Sequence, residues 1–236
     1  MDYQDWRVWL PLYGSPDATM SSGALVWYQY PERTPIDQVD IKTGLGKSRY
    51  HNQYRYSVLS HSLLVGEILA GLGPRPRALG ALHDMHEAIL GDMNPRQKTD
   101  EFRKIEDAWS DHVHRSFGVS PPSMSEKRWV KFADRAALIA EMEVIGHPAF
   151  EWPDELWNAH GGRPSTLSKA PGLAAVYRDT HPDILWDALM DIILRGADHG
   201  KVDRSRGKLV AGRGPEQQGV RQLAEELVVR DRRFVV

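Results

Sequence analysis

A histidine and an aspartate stand side by side within an apolar, helix-like stretch of this chain, residues 76–90. Burying His83 and Asp84 in a helix is costly unless another group binds them. His61 lies 22 residues before His83, and Asp134 lies 50 residues after Asp84. A divalent metal held by these four side chains would explain the arrangement. The chain must then fold so that separate segments direct these side chains toward one point.

The spacing of apolar residues predicts that these segments are α-helices. Apolar side chains recur at three- and four-residue steps, and Ser, Pro or Gly stands near the ends of the stretches. The predicted helices are Ser57–Ala70, Pro76–Leu90, Asp100–Phe117, Ser125–Ile145, Asp183–Leu194 and a last amphipathic one, Glu216–Arg230. The sequence has no internal repeat and no alternation of strands with helices. This pattern predicts an all-α fold.

Three segments of the chain differ in composition. Residues 1–56 are punctuated by Gly, Pro and Asp, and the aromatic-rich stretch Ala24–Tyr30 favours a short strand of a β-hairpin. We expect this irregular N-terminal segment to pack on the site. Residues 57–195 hold the predicted helical bundle. Residues 196–236 begin with a basic, glycine-rich stretch, which we expect to be a mobile loop, and end in a C-terminal helical extension.

Composition narrows the partners and the compartment. The chain has 30 Lys and Arg against 32 Asp and Glu, so no nucleic acid polymer is the expected partner. No apolar run approaches the roughly 18 residues that span a bilayer, and the N-terminus lacks the pattern of a signal peptide. We therefore expect no membrane partner and a cytoplasmic protein. Cysteine is absent, which leaves His and carboxylate side chains as metal ligands.

The proposed ligand set is suited to metal-assisted hydrolysis of a phosphate ester. Two imidazoles and two carboxylates suit one Mn²⁺, Co²⁺, Mg²⁺, Zn²⁺ or Fe²⁺ ion, and a six-coordinate ion would keep positions for water and a phosphate oxygen. Glu87 lies three residues after Asp84, on the same helix face. Hydrolysis of a phosphate ester needs a Lewis acid and an activated water. Glu87 could accept the proton of that water, and Asp84 would be both ligand and catalytic residue.

Two stretches of the sequence resemble the HD-domain phosphohydrolases. One stretch is Ser57-Val-Leu-Ser-His61-Ser with His83-Asp-Met-His-Glu87-Ala-Ile-Leu-Gly-Asp92-Met-Asn-Pro-Arg-Gln-Lys98, and the other is Phe102–Arg135. The first is similar to the Ser-Val-x-x-His-Ser and His-Asp-x-x-Glu-x-x-x-Gly-Asp-x-Pro-x-x-x-Lys pattern of bacterial 5′-deoxynucleotidases and resembles phage dATP triphosphohydrolases. The second is similar to the family's helix that leads to its last Asp. The resemblance implies an HD-domain helical bundle. It also implies that His61, His83, Asp84 and Asp134 bind the metal and that Glu87 positions or deprotonates the attacking water.

The resemblance also implies a set of substrate contacts. Arg49 matches a phosphate-binding arginine, and Tyr50 stands where the family has an aromatic residue that helps to reject ribose. Asp92 matches a position beside the nucleotide, and Lys98 could add positive charge. Asn94 departs from the family's proline, which puts the loop on the substrate side in doubt. A solvated surface position for Lys98, and a helix end or N-cap for Asp92, remain the alternatives.

The leading hypothesis is a metal-dependent phosphohydrolase acting on 2′-deoxynucleotides. It would release orthophosphate from a monophosphate or triphosphate from a dNTP such as dATP, and a second metal could enter with the substrate phosphates. Relatives commonly form dimers or larger rings, so we expect a homo-oligomer, located in the host cytoplasm if the protein is phage-encoded.

Two other functions remain open for this sequence. The first is a diiron oxygenase of the same fold, with His112 and His114 as conceivable ligands of a second metal. Their two-residue spacing on a helix directs them about 200° apart, so both cannot reach one ion. They lie beyond the aromatic stripe of this helix, and we expect them to face solvent. The second is a non-catalytic nucleotide-binding protein, against which the intact Glu87 argues.

Overall fold

The computed structural model describes residues 17–46, 56–93, 96–146 and 169–197. Most of these residues are helical, which confirms the predicted all-α class. The α-helices in these ranges are α1 (Gln38–Leu45), α2 (Val58–Ile68), α3 (Pro74–Leu82), α4 (Glu87–Leu90), α5 (Asp100–Ser116), α6 (Met124–Val144), α7 (Ala170–Asp179) and α8 (Pro182–Gly196). None of them combines the length and the apolar character that crossing a bilayer requires.

A short antiparallel hairpin precedes the helices, as the sequence predicted. It pairs β1 (Ala18–Thr19) with β2 (Leu25–Val26), with Ala18 opposite Val26. The strand β2 is much shorter than the predicted Ala24–Tyr30, because the chain turns away after Trp27 and enters a 3₁₀ turn at Pro31–Arg33. Val26 is fully buried, so the hairpin adds to the packed interior.

The helix α2 is surrounded by other helices. Every residue from Val58 to Ile68 except Glu67 is buried, and a helix that is apolar on all sides must be covered on all sides. Helices α3 and α8 pack on one part of it, and α6 and α7 pack on another. One buried cluster joins α2 to α1, α3 and α8, and a second joins it to α6 and α7. His61, on α2, therefore lies in the interior of the bundle.

Two glycines let α2 and α3 approach closely. A Cβ atom on Gly80 would lie 3.0 Å from the carbonyl oxygen of Val65 and 3.1 Å from the Cα of Gly66. These separations are tighter than ordinary van der Waals contact, so larger residues would push the helices apart. The helices are joined by the short turn Ala70–Leu72. The contact at Gly66 and Gly80 therefore holds the last turn of α3, which directly precedes His83, against α2.

The prediction of one continuous helix over Pro76–Leu90 is wrong. Helix α3 ends at Leu82, residues 83–86 form turns, and α4 begins at Glu87. Across this break the backbone N–H groups of Met85 and Glu87 donate to carbonyls three residues earlier, those of Leu82 and Asp84. The tighter hydrogen bonds interrupt the α-helix at the His-Asp pair.

Other boundaries also differ from the predictions. Helix α6 begins one residue before the predicted Ser125, because Ser123 is the N-cap: its side chain accepts a hydrogen bond from the backbone of Glu126. Trp129, in the first half of this helix, is 46% exposed. Helices α1 and α7 were not predicted. The proposed C-terminal helix Glu216–Arg230 lies outside the described residues.

The division of the chain at residue 57 stays a prediction. Within the described part of the N-terminal segment, Ile41 and Leu45 of α1 are fully buried and belong to the same cluster as residues of α2, α3 and α8.

Candidate metal centre

The four residues predicted as metal ligands come from three helices. His61 lies in the first half of α2, His83 and Asp84 follow the last residue of α3, and Asp134 lies in the middle of α6. One ligand atom from each of His61, His83 and Asp134 lies within 4.8 Å of the others. The fold therefore brings residues that are distant in sequence to one place, where His61 is fully buried and the other side chains are mostly buried.

The distances between the donor atoms match those around a single ion. Oδ2 of Asp84 lies 3.0 Å from Nε2 of His83 and 3.6 Å from Nε2 of His61. Oδ1 of Asp134 lies 3.3 Å from Nε2 of His61. Two ligands that are each about 2.1 Å from a metal and at right angles to one another lie about 3.0 Å apart. Asp84 thus contacts both imidazoles, whereas the group whose ligand atoms all lie within 4.8 Å of one another is His61, His83 and Asp134.

Hydrogen bonds on the far side of each imidazole determine which nitrogen faces the centre. Nδ1 of His83 donates to the carbonyl oxygen of Gly80 over 2.8 Å, and Nδ1 of His61 donates to Oε1 of Glu141 over 2.5 Å. A carbonyl and a carboxylate can only accept, so each neutral imidazole carries its proton on Nδ1. The lone pairs on both Nε2 atoms are then directed toward the carboxylates of Asp84 and Asp134. This donor set fits a divalent cation.

The carboxyl group of Asp134 is held in its ionised form. Burial by itself would raise its pKa, but a hydrogen bond from the protonated form of His61, the positive charges that His83 and His61 carry when protonated and a hydrogen bond from Lys131 lower it by more. The pKa of Asp134 therefore lies well below its ordinary value. Nζ of Lys131 is 2.6 Å from Oδ2 of Asp134, which leaves Oδ1 turned toward His61. The ionised carboxylate is the form that binds a cation.

Glu141 is a functional candidate that the sequence did not predict. It follows Asp134 by seven residues on α6, which places both carboxylates on one face of that helix about 10 Å apart along its axis. Glu141 is fully buried, and it holds Nδ1 of His61 while Asp134 approaches Nε2. A glutamate between the apolar Ala140 and Met142 was the signal available in the sequence.

The chain was compared with known proteins. No family model matches it. It is 36% identical over 141 residues to an uncharacterized protein of Rhodobacter capsulatus, and this alignment covers 53% of the present chain and 71% of that relative. The chain belongs to the same family as that protein. The relationship shows common descent over more than half of the chain.

The other predicted site residues differ in how far their side chains are exposed to solvent. Glu87, the proposed proton acceptor, is the first residue of α4 and is partly buried. Asp92 is exposed and stands just beyond Gly91, the C-cap of α4, so it lies at a helix end. Arg49 and Tyr50 lie outside the described residues.

Lys98 is not the solvated surface residue of the alternative interpretation. Its side chain is 14% exposed, and its Nζ donates to Oε1 of Glu106 over 2.6 Å. This ion pair lies within electrostatic range of His86. Burial lowers the pKa of His86, the charges of Asp84 and Glu106 raise it, and His83 and Lys98 lower it again. The charges of Lys98 and Glu106 therefore act on His86, which follows the His83-Asp84 pair by two residues.

The expectation that His112 and His114 face solvent is wrong. His114 is 2% exposed, and its Nδ1 donates to the carbonyl oxygen of Ser110 over 2.7 Å. Burial is the main reason that the pKa of His114 falls to about 4. Nε2 of His112 donates to the carbonyl oxygen of Thr34 over 2.9 Å, so His112 ties α5 to the segment that precedes α1.

Proposed function

We propose that this protein is a metal-dependent phosphohydrolase of the HD-domain type that acts on 2′-deoxynucleotides. The observation that carries the proposal is the convergence of His61, His83 and Asp134, with Asp84 beside both imidazoles and Nδ1 of each imidazole facing an acceptor. The order of these residues along the chain is that of the HD-domain family. The choice of deoxynucleotides comes from the motif around Glu87 and Asp92.

The residues around the centre have distinct roles in this proposal. A divalent ion bound there would polarise a phosphoryl oxygen and lower the pKa of a bound water. Glu87 begins α4 directly after the turn that carries His83 and Asp84, and it would take the proton from the attacking water. Asp84 and Asp134 supply negative charge to hold the cation, and the buried His61 excludes solvent from one side.

Lys98 would stabilise negative charge on the substrate phosphates. Its ammonium group is largely shielded from solvent and is neutralised by Glu106. A phosphate that enters would compete with Glu106 for the same donor, and a lysine in a partly desolvated position binds phosphate more strongly than one in bulk water. Arg49 and Tyr50 would contact the phosphate and the sugar.

A substrate screen tests this proposal. The purified protein is incubated with nucleoside mono-, di- and triphosphates, ribo- and deoxy-, together with Mn²⁺, Co²⁺ or Mg²⁺. We expect release of orthophosphate from deoxynucleoside monophosphates or of triphosphate from dNTPs, and the identity of the product separates the two activities. Chelation should abolish the release. Absence of metal-dependent release across the panel would overturn the proposal.

Matched variants connect the activity to the site. Glu87→Gln should lower kcat by at least about 10²-fold, because proton transfer by a positioned base contributes 10² to 10⁴, and it should leave Mn²⁺ binding unchanged. Glu101→Gln, on the exposed first turn of α5, is the control and should retain full activity. Two irons per chain with oxygen consumption would instead identify an oxygenase, and nucleotide binding without turnover would identify a binding protein.

A further inference from the structure

We propose that Glu141 is a positioning residue that fixes the tautomer and the orientation of His61 for cation binding. The inference deepens the proposed function, because it rests on the same metal centre. It assigns a role to a carboxylate that lies on the opposite side of His61 from the ligand atoms.

The geometry around His61 carries this inference. Both side chains are fully buried, and Oε1 of Glu141 lies 2.5 Å from Nδ1 of His61. The other ring nitrogen, Nε2, lies 3.3 Å from Asp134 and 3.6 Å from Asp84. The imidazole ring therefore lies between Glu141, which contacts Nδ1, and the carboxylates of Asp84 and Asp134, which lie beside Nε2.

The chemistry explains why a carboxylate is needed at this position. A proton held on Nδ1 by Glu141 leaves the lone pair on Nε2, which is the form of imidazole that binds a metal. The negative charge of Glu141 also raises the basicity of the ring. A buried acceptor without charge would fix the tautomer but would not supply this second effect. Because Asp134 and Glu141 share a face of α6, one rigid helix sets the position of His61 and supplies a further ligand.

A hydrophobic side chain could fill the position of Glu141 without the free-energy cost of removing a carboxylate from water. Glu141 is itself buried and lies between the buried residues Ala140 and Met142 on α6. An ionised carboxylate is expensive to bury unless it is paired. A carboxylate retained in such surroundings, in contact with a predicted ligand, points to a role at the metal centre.

Titration calorimetry with Mn²⁺ on the full chain tests the inference. Glu141→Gln keeps the shape and the acceptor oxygen but removes the charge. We expect it to weaken Mn²⁺ binding by about 10- to 100-fold, the usual effect of losing such a partner, with one ion still bound per site. Glu141→Asp, which keeps the charge with a shorter reach, should recover part of the affinity. Glu143→Gln, exposed on the same helix, is the control and should bind like the wild type.

Two further readouts separate positioning from a merely structural role. The absorption spectrum of the Co²⁺-loaded protein should change in Glu141→Gln and not in Glu143→Gln, because ligand geometry changes only in the former. In the Zn²⁺-loaded wild type, nitrogen NMR should find the His61 proton on Nδ1 and the metal on Nε2. A proton on Nε2, or wild-type Mn²⁺ affinity in a folded Glu141→Gln, would overturn the inference while the metal centre stands. Failure of the wild type to bind Mn²⁺ would overturn the proposed function and this inference together.

Discussion

A single lysine sets part of the charge balance at the candidate centre. Lys131 is 65% exposed and donates to Oδ2 of Asp134, which is 20% exposed. A bound cation and this ammonium group share one carboxylate. We expect Lys131→Met to strengthen Mn²⁺ binding about two- to fivefold, because an exposed ion pair contributes about 0.2–1 kcal/mol. Mn²⁺ titration at constant ionic strength measures the change.

A neighbouring lysine provides the comparison. Lys127 lies one turn earlier on α6 and pairs with Asp107 over 3.4 Å on the open surface, so Lys127→Met should leave the affinity unchanged. A weaker Mn²⁺ affinity in Lys131→Met would mean that the lysine orients Asp134 for binding and does not compete with the cation.

The clustering of the predicted ligand residues could be anticipated from the sequence, whereas the contact of Glu141 with His61 could not. The His-Asp pair, His61 and Asp134 have a spacing and order that a known motif shares, and the structure brings them within ligand distance of one another. The contact between Glu141 and His61 joins residues 80 positions apart on different helices. A glutamate in an apolar helix face indicates a buried partner, but only the packing of α2 against α6 identifies that partner.

At the scale of the helices, the periodicity of apolar residues predicted some helices well and missed others. It located α2, α5, α6 and α8 to within a few residues. It joined α3 and α4 into one helix, because buried Leu82, Met85 and Ala88 keep helical spacing through the break. It also missed α1 and α7. Helix α1 buries only a few apolar side chains, and α7 has proline and glycine near its start, so neither shows a strong apolar stripe.

The N-terminus of α6 is held by a carboxylate with two functions. Glu126 completes a capping box with Ser123, and Nε of Arg75, on α3, donates to its Oε1 over 2.7 Å. The contact with Arg75 is the main reason that the pKa of Glu126 falls to about 2, from an ordinary value of 4.5. The contact therefore links the two helices that carry or precede Asp84 and Asp134.

This shift gives a stability that depends on pH. A depressed carboxyl pKa stabilises the fold fully above about 4.5, and the effect is lost as the pH falls toward 2. We expect Glu126→Gln to lower the free energy of unfolding by about 1 kcal/mol at pH 7, a modest value because the pair faces solvent. The difference from the wild type should shrink steadily between pH 5 and about pH 2 in urea unfolding experiments.

The control for this experiment is a first-turn carboxylate of another helix. Glu101 opens α5 and is exposed, so Glu101→Gln should cost less than Glu126→Gln at pH 7. A difference between Glu126→Gln and the wild type that stays constant down to pH 2 would show that the charge of Glu126 is not what stabilises the helix.

The whole molecule is arranged so that a helix from the N-terminal segment contacts the helix that carries Glu87. Helix α1 packs on α4, and Ile41 and Leu45 enter the cluster formed by α2, α3 and α8. The composition of residues 1–56 predicted an irregular segment and gave no indication of this helix. Because α4 has only four residues, its own hydrogen bonds hold it weakly. Its position therefore depends on what packs against it.

The contact between α1 and α4 depends on a missing side chain. A Cβ atom on Gly44 would lie 2.6 Å from the Cα, Cβ and carbonyl oxygen of Ala88, the residue after Glu87. Such overlap can be relieved only by moving one helix. We expect Gly44→Ala to lower the free energy of unfolding by about 1–3 kcal/mol, even though alanine favours a helix more than glycine by about 1 kcal/mol.

The same change should separate catalysis from metal binding. Displacement of α4 moves Glu87 but leaves His61 and Asp134 on their own helices, so kcat should fall while Mn²⁺ affinity stays near that of the wild type. Gly46→Ala is the matched control, because a Cβ atom there meets only backbone oxygens of α1 at 3.4 Å or more. Denaturant unfolding and steady-state kinetics on both variants measure the two effects. If Gly44→Ala were as stable and as active as Gly46→Ala, the packing of α1 would not position Glu87, and the N-terminal segment would have no part in the reaction through this contact.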